Sequence, residues 1–158
     1  MEPRINYATV GGDGIAAVQA IERYLSKSSL EPALRELVKL RASQINGCAY
    51  CIDMHTKVAR HHGETEQRLY GVTAWRETPF YTERERAALA WTEAVTLISQ
   101  NDVPDELFEA TREHFSDEEL VNLTLAIAAI NTWNRLAISF RSVPGSFQIR
   151  SAAPAPAS

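Results

Sequence analysis

The chain has 158 residues, 45% of them apolar, and a formal net charge of −4. That is about one domain of ordinary soluble composition, long enough to bury a core. The acidic balance argues against nucleic acid or an anionic membrane as the main partner, and the longest apolar run, Leu125 to Ile130, is far too short to span a bilayer.

The N-terminus, Met1-Glu2-Pro3-Arg4, has no apolar stretch behind it. No secretory signal is visible, so a cytoplasmic location is expected. From Gly14 to Ser26 the apolar residues Ile15, Val18, Ile21 and Leu25 recur at helical spacing. Pro32 sits where a helix starts, since its missing N–H costs nothing there. Leu34, Leu37, Val38, Arg41 and Ile45 mark this second helix, and Asn46-Gly47 ends it. A third helix is expected from Cys48 to His62, stopped by Gly63, and a short fourth from Glu66 to Ala74. Thr82-Glu83-Arg84-Glu85 is a capping box that starts a helix through Leu97. Pro104 begins another, ending near Phe115. Ser116-Asp117-Glu118-Glu119 is a second capping box and opens the last and longest helix, to about Ser142. No strand signal longer than a few residues occurs. The expectation is an all-α single-domain bundle over 1–149, followed by a disordered Ala/Pro tail over 150–158.

The last helix is apolar nearly all round: Leu120, Val121, Leu123, Leu125 through Ile130, and Leu136. Such a helix is buried on several sides. A central place in a monomeric bundle would do this, and so would a subunit interface. The interface is the expectation here.

Chemistry concentrates in one place. The only two cysteines are Cys48 and Cys51, three apart, with His55 four residues further on. On a helix these share a face with Ile52, Ala59 and His62. Residues at i and i+3 have Cα atoms roughly 5 to 6 Å apart, within disulfide range. A single CxxC in a cytosolic protein points to redox chemistry before a permanent staple. Cys48 in the first turn would feel the helix dipole and free amides, and His55 can exchange a proton with Cys51. These effects act on different sulfurs, so position alone leaves open which one attacks. Two small core cysteines beside a packed histidine would explain the same residues without chemistry. Zinc is a further reading, but Cys48, Cys51 and His55 make three ligands where a closed structural site wants four. His61 and His62 lie too far along the helix to complete it. A c-type haem is excluded on pattern, because Ile52 follows the second cysteine. The second and third helices, joined by a short turn, should pack as an antiparallel hairpin. That makes Glu36 a candidate carboxylate for a relay, although it could equally pair with Lys39 on the surface.

Glu36, eleven residues, Cys48-x-x-Cys51, three residues and His55 together resemble the signature of the AhpD-like alkylhydroperoxidases, in the carboxymuconolactone decarboxylase superfamily. The run Leu37 to Cys48, the pairs Trp75-Arg76 and Phe80-Tyr81, and Ile130 to Arg135 extend the resemblance from about Arg4 to Ile149. It implies an all-helical, cofactor-free homo-oligomer, a trimer or hexamer. It implies Cys51 as the nucleophile that becomes a sulfenic acid, and Cys48 as the proton donor that closes the disulfide. His55 and Glu36, linked through water, would form the proton relay. One position departs: the best-known member carries a histidine before the second cysteine, where this chain has Tyr50. The decarboxylases proper generally lack the cysteine pair.

The expected function is thus reduction of a hydroperoxide, with an external thiol or lipoyl-type dithiol as reductant and no metal. The alternatives are thiol–disulfide exchange with a protein partner, and a non-catalytic metal-binding helical module.

Overall fold

The computed structural model of the chain describes residues 1–149, so the tail expected over 150–158 lies outside the described residues. Local signals set most of the helix ends. Thr82 and Ser116 each close a complete capping box, opening α6 (Glu83–Thr96) and α8 (Asp117–Phe140), as labelled in chain order. The earlier helices are α1 (Tyr7–Val10), α2 (Gly12–Leu25), α3 (Pro32–Asn46), α4 (Ala49–His61) and α5 (Glu66–Gly71), with α7 (Asp105–Arg112) before the last. Among the described residues there is no strand, and the all-α expectation holds.

Gly47 ends α3 in the left-handed conformation, at φ 69°, where any other residue would be strained. The departures from expectation are local. The four-residue α1 has too few positions to show a periodicity and is held by Asn6, whose side chain accepts from the Ala8 amide. The fourth helix breaks after Gly71 into a 3-10 segment, Val72–Glu77, because Ala74 leaves helical geometry. Pro104 and Cys48 are caps rather than first helical residues. The last helix stops at Phe140, with Arg141 in the left-handed region.

The larger surprise is which helix is central. α8 packs on α2, α3, α4, α6 and α7, and much of its apolar surface is used within the monomer. Val121, Leu125 and Ile138 remain exposed. Yet α3 is as enclosed, with Leu34, Leu37, Val38, Lys39, Leu40, Ala42 and Ser43 all buried between α4, α6, α8 and the 3-10 segment. Two polar residues disguised this in the sequence. Both are buried with partners, as the interior demands. Lys39 donates to Glu22, and Ser43 accepts from Asn134. Asn46 then donates to Asn131 and Asn134 of α8, at 3.0 and 2.9 Å. These bonds fix the C-terminal end of α3, and hence the turn that delivers Cys48.

Candidate active site

The turn at Gly47 sends the chain straight into α4, so α3 and α4 pack side by side as the expected hairpin. Cys48 is the N-cap of α4. Its backbone is extended, and its Sγ accepts a hydrogen bond from the Cys51 amide at 3.3 Å. That amide is one of the orphan donors of a helix start, which normally a capping oxygen would satisfy. Cys48 and Cys51 stand at disulfide distance, Cα to Cα 5.3 Å, and both are 1% exposed. They pack in a small cluster with Ala42, Ile130 and Ala137, so apolar neighbours hold both sulfurs in place.

One turn beyond Cys51, His55 is buried. Its Nδ1 meets Glu36 Oε2 of α3 at 2.8 Å. A carboxylate only accepts, so Nδ1 carries a proton and donates a hydrogen bond to Glu36, and in the singly protonated ring the lone pair lies on Nε2. Nε2 is buried and has no hydrogen-bond partner among the described residues. Burial pushes the Glu36 carboxyl up, but the His55 hydrogen bond and the charges of His55, Lys39 and His62 hold it below the usual carboxylate range. Glu36 is therefore a fixed anion at neutral pH. An imidazole oriented by such an anion, with its other nitrogen free, is built to take up a proton and have the resulting charge stabilised.

Cys51 and His55 line one cavity of about 350 Å³, together with Tyr7, Met54 and Trp133. Cys48 is absent from its walls and lines a different, smaller cavity of about 170 Å³ beside Arg141 and Pro144. Tyr50 borders both. Its hydroxyl is held above its ordinary range by burial and by Tyr7 and Asp53 nearby, so it is no ready base in place of a histidine.

All four residues expected from the sequence thus fall in one place. Glu36 turns inward to His55 rather than to Lys39, which pairs with Glu22. His61 and His62 are exposed and stand apart from the cavity. Sequence reading missed the polar and aromatic group Lys39, Glu22 and Trp133 in the cavity wall. The one signal for it was a lysine inside the apolar stripe Leu37, Val38, Leu40. Among the described residues, no three His, Cys, Asp or Glu side chains gather as a metal site, and no helix is long and apolar enough to cross a membrane.

Fold and site define a helical bundle with a CxxC cysteine pair backed by a partly buried carboxylate and the buried imidazole it holds. The chain belongs to the carboxymuconolactone decarboxylase family, whose model matches residues 13–94. It is 48% identical over 139 residues to the uncharacterized protein YdfG of Bacillus subtilis, covering 88% of this chain and 95% of that one. It is 52% identical, with a TM-score of 0.88, to an Agrobacterium tumefaciens protein solved as one of unknown function and as a candidate antioxidant defence protein AhpD. That match covers 92% of this chain and all of the other, and the chain is AhpD-like. The debrominase Bmp8 shares the fold alone, at 21% identity and a TM-score of 0.78 over 87% of this chain and 74% of that one.

Proposed function

We propose that the protein is a thiol-dependent hydroperoxide reductase. One observation carries this reading: Cys51, paired with Cys48, shares a cavity with a buried histidine whose Nδ1 is held by a partly buried carboxylate and whose Nε2 has no partner among the described residues. In the reduced protein His55 Nε2 takes the Cys51 proton and Glu36 stabilises the imidazolium. The thiolate attacks the terminal oxygen of a hydroperoxide, forming the Cys51 sulfenic acid and releasing an alcohol or water. The Cys48 thiol then condenses with it, water leaves, and the disulfide closes. An external thiol or lipoyl-type dithiol restores both thiols.

The assignment of Cys51 as nucleophile is supported by its place beside His55, against Cys48 on the other cavity. The AhpD-like relationship supports it too, whereas Bmp8 shows that the fold serves more than one chemistry. The metal-binding alternative finds no donor cluster among the described residues.

The test is to reduce the protein, add one equivalent of tert-butyl hydroperoxide and count thiols by alkylation and mass spectrometry. Both thiols should disappear together and return together with a dithiol. Thiols that stay freely alkylated would contradict the proposal. Fast exchange with disulfides combined with indifference to peroxide would instead favour the thiol–disulfide exchange reading.

The exposed apolar residues Val121 and Leu125 of α8 border a groove of about 480 Å³ with Phe108 of α7. This supports the further proposal of a homo-oligomer, a trimer or a hexamer.

A further inference from the structure

The cavity that holds Cys51 and His55 contains a second charged device, which makes no hydrogen bond to the relay and touches it only through the field of its charge on Glu36. Lys39, on α3 one turn after Glu36, has a side chain only 9% exposed and lines this cavity. Its Nζ donates to Glu22 Oε2 at 2.6 Å. Glu22 is held in turn by Trp133, whose Nε1 donates to Oε1 at 3.2 Å. All three residues lie in the cavity wall. An ammonium has three N–H donors, and among the described residues Glu22 is its one hydrogen-bond acceptor. Burying an ammonium is costly even when paired, and an apolar pair often serves stability as well or better. A structural tie between α2 and α3 does not require it to face a reaction cavity.

We infer that Lys39 is the group that receives the oxygen leaving in peroxide cleavage. The inference rests on Cys51 being the peroxide nucleophile. As the Cys51 thiolate attacks the terminal oxygen, the S–O bond forms and the O–O bond breaks. The electron pair departs on the second oxygen as an alkoxide. Lys39 Nζ donates its proton to that alkoxide, giving the alcohol. It regains a proton through water from the imidazolium that first took it from Cys51. Electrons and protons balance: one thiol and one hydroperoxide give one sulfenic acid and one alcohol. Glu22, clamped by Trp133, keeps Nζ in place, so Glu22 and Trp133 are positioning residues. The division of labour is then clear. Glu36 and His55 generate the nucleophile, and Lys39 serves the leaving group.

Leaving-group dependence tests this. Alkoxide is a poor leaving group that needs a proton, whereas a peracid expels a carboxylate that leaves unaided. Reduced Lys39→Met should oxidise about 10²-fold more slowly than wild type with tert-butyl hydroperoxide, the usual cost of losing one donor at a developing oxyanion. With peracetic acid it should lose only a few-fold. Lys39→Arg keeps the charge and a hydrogen-bond donor but cannot give up a proton, so it should recover only a minor part of the alkyl hydroperoxide rate. The double variant Glu22→Gln/Lys39→Met leaves no unpaired carboxylate beside the lost ammonium and should show the same contrast, which covers a misfolded single variant. Cys51 alkylation by iodoacetamide, which has no oxygen leaving group, should stay within a few-fold of wild type. An equal loss on both oxidants, or no loss on either, would overturn the role of Lys39 while leaving the nucleophile intact. Failure of wild type to react with any peroxide would instead remove the reading beneath it.

Discussion

Two partly buried glutamates behave as opposites in this molecule. Glu93 of α6 accepts from Arg41 at 2.8 Å and Trp75 at 2.9 Å on one oxygen, and from Arg76 at 2.5 Å on the other. Among the described residues, Glu36 accepts from His55 alone. Burial pushes both carboxyls up, and in both the partners win and hold them below the ordinary range. The difference lies in the partners. Two guanidiniums never give up a proton, and an indole N–H is donor only, so Glu93 sits in a saturated and inert cluster that ties α6 to α3 and the 3-10 segment. His55 can gain a proton, and its second nitrogen is unpartnered in a cavity shared with a cysteine. A carboxylate saturated by fixed cations is structural; one that holds a titratable base is available for chemistry.

The largest effect that would sharpen this contrast belongs to His55. His55→Gln should slow Cys51 alkylation near neutral pH by on the order of 10²–10⁴-fold, the range of acid–base assistance. Glu36→Gln should slow it too, but less, because it acts through the ring. Wild-type alkylation rates in both would make His55 a packing residue and break the comparison. Glu93→Gln should do the reverse. Leaving its donors under-satisfied should destabilise the fold by about 1–3 kcal/mol in denaturant titrations, with Cys51 alkylation unchanged. Acid should affect both glutamates alike. Their folded carboxyls titrate below the ordinary value of 4.5, so the stability they contribute is full above that value. It is lost as pH falls through the lower folded values. As pH falls below the ordinary carboxylate value of 4.5, wild type should therefore lose more stability than either Gln variant, as followed by denaturant titration at each pH. The smallest expected effect concerns α8. Val121→Ser, an exposed change, should leave monomer stability within about 0.5 kcal/mol of wild type while weakening association measured by light scattering. A mass of one 17.6 kDa chain for wild type would remove the proposed interface.

How legible each part was follows from where the signal lay. Capping boxes, Pro32 and Gly47 act through local chemistry, so the ends they set were readable to within a residue or two. Cys48, Cys51 and His55 were readable because fixed spacing on one helix brings them together, whereas the hairpin made Glu36 only a candidate and the family resemblance singled it out. The saturated cluster at Glu93 was not, because Arg41, Trp75 and Arg76 come from separate elements that only packing joins. Lys39 was hidden for the same reason. Its partner Glu22 lies seventeen residues away on a neighbouring helix, and a lone lysine reads as surface. The enclosure of α3 went unseen because its buried Lys39 and Ser43 lower its apparent apolarity.

The central claim is that Cys51, activated by the Glu36–His55 pair, is the atom that meets peroxide. The direct measurement is chemical trapping of the sulfenic acid in Cys48→Ser, where no disulfide can close. The reduced variant is mixed with tert-butyl hydroperoxide and dimedone, and the adduct is located by peptide mass spectrometry. The account predicts an adduct on Cys51 that forms far more slowly once His55→Gln is added. No adduct on Cys51, together with one on Cys48 in the Cys51→Ser variant at an undiminished rate, would contradict it.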